Sequence, residues 1–177
     1  MELEEYYKFY HVDIAAQIDN NWNDDTALGI VKDSRRYSIM IKSQDKEIIK
    51  RRFVKDSNDR GMRRHNKRVV AVIYSYLLFK AINNFNEANP LLICRDVRPE
   101  VIVMNYLRKI SEYFKNYNLF SRKIKFRKRI EFETNNKLPK SLAGKYVRKV
   151  FQGKIKPDKI LDNSEIEELI ELISKIL

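Results

Sequence analysis

Tyr6-Tyr-Lys-Phe-Tyr-His-Val-Asp-Ile-Ala-Ala16 is dense in aromatic and β-branched side chains and reads as a long strand. The fold turns on the segments after it. Gln17 to Asp25 is turn chemistry, after which Thr26–Lys32 and Tyr37–Lys42 read as two more strands joined by Asp33-Ser-Arg-Arg36. Three sequential strands with short connectors make an antiparallel meander. Residues 43–68 are polar and very basic, and Asp56-Ser-Asn-Asp-Arg-Gly61 within them reads as a mobile loop. Val69 to Asn83 is a helix apolar nearly all round, so both of its faces require cover. Leu91-Leu-Ile-Cys94 is a short apolar run suited to a central strand.

Further along, Pro99 and Glu100 open a helix with Ile102, Val103, Tyr106, Leu107, Ile110, Tyr113 and Phe114 on one face. Arg122–Glu133 alternates: Ile124, Phe126, Ile130 and Phe132 lie on one side, interrupted only by Lys128, and Lys123, Lys125, Arg127, Arg129, Glu131 and Glu133 on the other. Pro139 to Phe151 reads as a basic helix and Gly153–Leu161 as a linker. Ser164 with Glu167 forms a capping box for a last helix, whose stripe is Ile166, Leu169, Ile170, Ile173 and Leu177. The order β-β-β-α-β-α-β-α-α predicts an α/β fold: a mixed five-stranded sheet, antiparallel meander then βαβ units, with helices packed on it. Residues 1–161 form the domain, and 162–177 an acidic amphipathic helix that folds back or pairs with a second copy.

The 177 residues carry 36 Lys and Arg against 24 Asp and Glu, a net charge of +12. The charge is not spread evenly: residues 34–161 hold +22, and the two ends together −10. A solvated lysine-rich surface is one reading. An anionic partner, RNA or DNA, is the reading favoured here. One cysteine excludes an intramolecular disulfide framework or a cysteine-based zinc ribbon. Signal-peptide order is missing, and the longest apolar stretch, Val69 to Ile82, is too short to span a bilayer. The expectation is a cytoplasmic protein with no membrane partner and a reduced Cys94.

Two aspartates stand where this topology makes them informative. Asp13 lies inside the first strand, where a carboxylate is expensive to bury unless paired or bound to metal. Asp96 follows the fourth strand just before a helix, at the sheet edge where ligands bind in open α/β folds. If strands one and four are parallel neighbours, both carboxylates reach one site. The alternatives are a salt-bridged Asp13 and an Asp96 that organises a turn.

Phe9-Tyr-His-Val-Asp13, with Ala27-Leu-Gly-Ile-Val31 in the next strand and Leu91-Leu-Ile-Cys-Arg-Asp96-Val97 running into a helix, resembles the ribonuclease H-like superfamily over roughly residues 6–133. The resemblance implies a ribonuclease H-like sheet and a divalent-metal-dependent nuclease. Asp13 and Asp96 would then be catalytic ligands of Mg²⁺ or Mn²⁺. That family commonly has another acid in the first helix, but Lys67-Arg-Val-Val-Ala-Val-Ile-Tyr74 has none, and neither has Pro139 to Phe151. Substitutes would come from Asp19, Asp24, Asp25, Asp56, Asp59 or Glu100. A non-catalytic nucleic-acid-binding module on the same fold is the alternative. A third possibility is an assembly protein that homo-oligomerises through the last helix.

The expected nucleic-acid surface has three clusters. Arg51, Arg52, Arg63, Arg64 and Lys67 form the first, and the basic side of the 122–133 strand, Lys123, Lys125, Arg127 and Arg129, the second. The third follows Pro139 and centres on Lys145, Arg148 and Lys149. Trp22, Tyr117 and Phe120 are candidates for stacking on unpaired bases, with core positions the alternative for the last two.

Overall fold

A computed structural model describes residues 6–16, 18, 22–55, 59–85, 90–93, 100–117, 123–126 and 142–177. The strands are β1 (Tyr10–Ala15), β2 (Thr26–Lys32), β3 (Arg35–Ile41), β4 (Leu91–Ile93), β5 (Ile124–Phe126) and β6 (Lys159–Ile160). The helices are α1 (Ser43–Phe53), α2 (Arg60–Phe85), α3 (Glu100–Tyr113), α4 (Leu142–Phe151) and α5 (Asn163–Ile176). They build a mixed six-stranded sheet in the order β5-β4-β1-β2-β3-β6.

β1, β2 and β3 form the expected meander, with Asp13 opposite Gly29 and Ile30 opposite Tyr37. β4 lies parallel to β1, with His11 opposite Leu92, and β5 parallel to β4. The sixth strand corrects the expected count of five. Its two residues pair in parallel with β3 inside the stretch expected to be a linker, a pairing too short to leave a periodic pattern.

Alternation along each strand assigns the two faces. Tyr10, Val12, Ile14, Leu28, Ile30, Ile39, Ile41, Leu91 and Ile93 join the main core, with Ile124 and Phe126 partly buried against it. Helix α2 runs through this core, buried continuously from Val69 to Phe79 and again at Ala81 and Ile82. It is covered on its far side by α3 and α5, as its all-round apolarity demands. The opposite face is smaller: Ala27, Val31 and Met40 take the Ala143, Tyr146, Val147 and Val150 stripe of α4.

Three expectations change. Tyr6–Phe9 does not extend the first strand; it turns back, the Phe9 N–H donating to the Tyr6 carbonyl at 3.4 Å. Residues 43–53 form a helix rather than part of an irregular basic stretch, and Arg60 already belongs to α2. The capping box of α5 lies two residues earlier than expected: Asp162 accepts from the Glu165 N–H at 3.0 Å and Glu165 from the Asp162 N–H at 3.2 Å. Ser164 donates to Asp162 instead. Aspartate caps as well as serine, so the pattern alone left both registers open.

Helix α5 is partnered within its own chain. Ile166, Leu169, Leu172 and Ile173 are buried in the main core. Lys80 on α2 reaches Glu168 at 2.8 Å and Glu165 at 3.4 Å, and Lys159 reaches Glu165 at 2.9 Å. Tyr76 donates to the Glu168 carboxylate, and burial followed by that carboxylate raises the phenol well above its ordinary range. Of the two expectations for this helix, the structure shows the fold-back: most of the stripe packs on its own domain, Leu177 remains exposed, and Glu165 and Glu168 pair with Lys80 and Lys159.

Candidate functional site

The adjacency of β1 and β4 brings two carboxyl strand ends side by side, the condition under which Asp13 and Asp96 reach one site. Asp13 is half-buried on the α4 face, with one carboxylate oxygen accepting the Ile14 N–H at 2.9 Å. Asp96 lies three residues beyond Ile93 and outside the described residues, as do Cys94, Arg127, Arg129 and Phe120. Among the described residues no group of three or more His, Cys, Asp or Glu is placed to hold a metal ion.

Two of the candidate substitute ligands already serve the fold. Asp25 caps α1, accepting the Ser43 N–H at 2.8 Å and binding the Lys42 ammonium at 3.0 Å. Burial pushes its carboxyl up, but the Ser43 amide and Lys42 outweigh this and hold it below the ordinary value. Asp59 caps α2 by accepting the N–H groups of Gly61 at 2.8 Å and Met62 at 3.1 Å.

Helix α4 crosses the sheet over Gly29, the cross-strand partner of Asp13. A Cβ at Gly29 would sit 3.2 Å from both Tyr146 Cδ1 and Val147 Cβ, so any larger residue requires α4 to give by a few tenths of an ångström. Tyr146 is locked in place: its hydroxyl donates to Asp158 Oδ2 at 3.0 Å and lies 2.9 Å from Ser38 Oγ, while Arg36 stacks over its ring at 5.5 Å. The outward face of α4 exposes Lys145, Arg148 and Lys149. β5 places Lys125 on the same side of the sheet, over the Phe9 ring at 5.3 Å, and Lys123 is exposed beside it.

The remaining cations gather on a helical hairpin. α2 has 26 residues, about 39 Å at 1.5 Å per residue, whereas β1 spans only about 20 Å. Phe85 packs against Tyr10 at 5.0 Å and Tyr37 at 6.4 Å, fixing the end of α2 near the amino ends of β1 and β3. The excess length therefore stands beyond the carboxyl edge, the edge to which Asp13 leads. There Arg60, Arg63, Arg64, Lys67 and Arg68 are all exposed, and none has an acidic partner among the described residues. The end of α1 is tied to α2: His65 Nε2 donates to the Phe53 carbonyl at 3.0 Å, and Asn66 exchanges two hydrogen bonds with the Lys55 backbone at 2.9 and 3.1 Å. Arg51 and Arg52 are exposed on the last turns of α1, Arg51 with Glu47 at 3.1 Å. What the sequence presented as a basic loop is a built hairpin.

The root of this hairpin escaped sequence reading. Lys46 on α1 is fully buried, and its ammonium donates to Thr26 Oγ1 at 2.8 Å, whose hydroxyl donates onward to the Ala16 carbonyl at 2.9 Å. Burial drives the Lys46 ammonium down to about 8, with Asp24 and Asp25 opposing the shift. Of the candidate stacking residues, Trp22 is partly buried against the main core and Tyr117 is exposed.

No protein-family model matches the chain, no curated protein is similar to it, and no solved structure resembles it. No helix among the described residues is long and apolar enough to cross a membrane.

Proposed function

We propose that the chain processes nucleic acid as a divalent-metal-dependent nuclease on a ribonuclease H-like sheet, with Asp13 and Asp96 as the metal ligands. The observation that carries this reading is the parallel pairing of β1 with β4. It directs the strand holding Asp13 and the strand leading to Asp96 to one edge, beyond which the basic hairpin stands. The meander extended by two parallel strands, β3-β2-β1-β4-β5, supports this reading.

The donors fit in kind. Asp13 offers a half-buried carboxylate with one oxygen oriented by a backbone amide, the hard oxygen donor that Mg²⁺ and Mn²⁺ take. Bound there, such ions supply an activated water and stabilise the leaving oxygen of a phosphodiester. The chain's own cations do the holding: Lys145, Arg148 and Lys149 on α4 and the arginines of the hairpin take backbone phosphates on either side of the edge.

One observation favours the second reading, a non-catalytic binding module. Where α4 passes over Gly29 beside Asp13 it exposes three cations and no carboxylate. Labelled RNA, DNA and hybrid substrates, incubated with Mg²⁺ or Mn²⁺, separate the two. Cleavage by the wild type that is lost in both Asp13→Asn and Asp96→Asn supports the nuclease. Salt-sensitive binding without cleavage under any metal supports the module and sinks the catalytic assignment.

A further inference from the structure

We propose that the α1–α2 hairpin is a rigid prong that grips the sugar-phosphate backbone of a nucleic-acid duplex across the carboxyl edge of the sheet. The inference rests on the nucleic-acid reading above and deepens it by naming the gripping element and the form of its ligand.

Charge placement is the first argument. Arg60, Arg63, Arg64, Lys67 and Arg68 occupy the first turns of α2, the positive end of the helix dipole, and no acid lies in its first turn. Like charges three and four residues apart repel as well. Local energetics thus oppose this arrangement, and Asp59 is the side chain that caps it. Phosphates docking on the prong relieve both penalties.

Shape is the second. The hairpin is no tethered basic tail: His65, Asn66 and the Lys55 backbone hold its two helices together. Lys46 and Asp25 fasten α1 to the sheet. Arg60, Arg64 and Lys67 fall on one helical face over about 10 Å, roughly three phosphate steps of a duplex strand at about 3.4 Å of rise each. An open concavity of about 440 Å³ lies against Arg60, Gly61 and Arg64. Arginine dominates the cluster, and its planar fork pairs bidentately with phosphate oxygens.

The third argument selects the duplex. Single strands are held by stacking bases on exposed aromatic rings. Between Ser43 and Arg68 the only Phe, Tyr or Trp is Phe53, which is half-buried and carries Arg52 over its ring at 5.7 Å. Its exposed apolar side chains are Ile48 and Met62, neither of which is a stacking platform. A rigid, arginine-rich rod without exposed aromatics suits the fixed phosphate lattice of a duplex.

The test uses the full chain in EDTA, which suppresses any cleavage. Binding is followed by fluorescence anisotropy from 50 to 300 mM salt, with 20-base-pair DNA and RNA duplexes and with their separate strands. The wild type is expected to bind a duplex at least ~10-fold tighter than either strand. Arg60→Ser/Arg63→Ser/Arg64→Ser/Lys67→Ser is expected to flatten the slope of log K against log salt by about 3 to 4, near 0.9 for each phosphate that is no longer neutralised. Should the quadruple variant misfold by circular dichroism, Arg60→Gln/Arg64→Gln is expected to flatten the slope by about 2. Duplex binding by the wild type with an unchanged slope in a folded variant overturns the prong while leaving the nucleic-acid reading intact. Single strands bound as tightly as duplex overturn the choice of ligand. Absence of salt-sensitive binding to every probe overturns the nucleic-acid reading and the prong with it.

Discussion

Lys46 ties the hairpin to the sheet through an ammonium removed from water, so the strength of that tie depends on pH. In the fold its pKa falls to about 8 from an ordinary value of 10.5, burial being the cause that outweighs Asp24 and Asp25. Below pH 8 the lysine is charged in both folded and unfolded chains, and the full cost of burying the charge is borne by the fold. Between pH 8 and 10.5 the unfolded chain binds the proton more tightly, so stability rises with pH across that window. A shift of this size corresponds to about 3 kcal/mol overall, of which about 2.5 kcal/mol is recovered between pH 7 and pH 10. Other lysines titrate over the same range, so the comparison is with Lys46→Met, which keeps the length of the side chain and removes the proton. Urea unfolding of both proteins at pH 7, 8, 9 and 10 should show the wild type gaining about 2.5 kcal/mol on the variant, at equal m-values. A stability difference that stays flat within ~0.5 kcal/mol over this range would refute the reasoning, since it would mean that the ammonium remains effectively solvated in the fold.

Three further outcomes are expected. Gly29→Val drives a branched side chain into Tyr146 and Val147, both 3.2 Å from a Cβ at this position, and should lower stability by about 1–3 kcal/mol in urea titrations. Tyr146→Phe removes the hydroxyl shared with Ser38 and Asp158 and should cost about 1–2 kcal/mol, read from the urea midpoint; an unshifted midpoint argues that α4 is held by packing alone. Leu169→Ala empties a fully buried position of α5 and should cost about 2–5 kcal/mol, whereas a change below ~0.5 kcal/mol would mean that α5 is not docked on its own domain in solution.

The meander, the central strand at Leu91–Ile93 and the buried helix were legible because their apolar patterns match their environments. In the structure, alternation along β1 sets Asp13 on the face opposite Tyr10 and Val12. Helix α1 was not legible, and the reason is Lys46. Of its 11 residues only Ile48, Ile49 and Phe53 are apolar, and Ile48 is exposed, while a lysine fills the inward position an apolar residue would normally mark. A buried charge satisfied by Thr26 is invisible to a hydrophobic pattern. β6 was missed because pairing of two residues carries no period. Gly29 did offer a signal, since a lone glycine within an apolar strand marks close approach by another element, here α4. Of the candidate site, the first aspartate and the basic clusters were readable. The union of Arg51 and Arg52 with Arg63 and Arg64 into one hairpin depends on the His65 and Asn66 hydrogen bonds, which join residues 11 and 12 positions apart without any repeating pattern.

The pairing of β6 with β3 bears on how the chain reaches this state. Lys159 and Ile160 pair with Ile39 and Met40 on the outer edge of β3, and the Ser38 amide is satisfied by Asp158, 120 residues downstream. Until those residues emerge during synthesis, the nascent meander displays an unpaired strand edge, the surface most prone to pairing with a neighbouring chain. Contacts this distant in sequence are also the slowest to close. Emergence of residues 158–160 is therefore the point at which the sheet loses its capacity for intermolecular pairing along the Ser38–Met40 stretch of this edge.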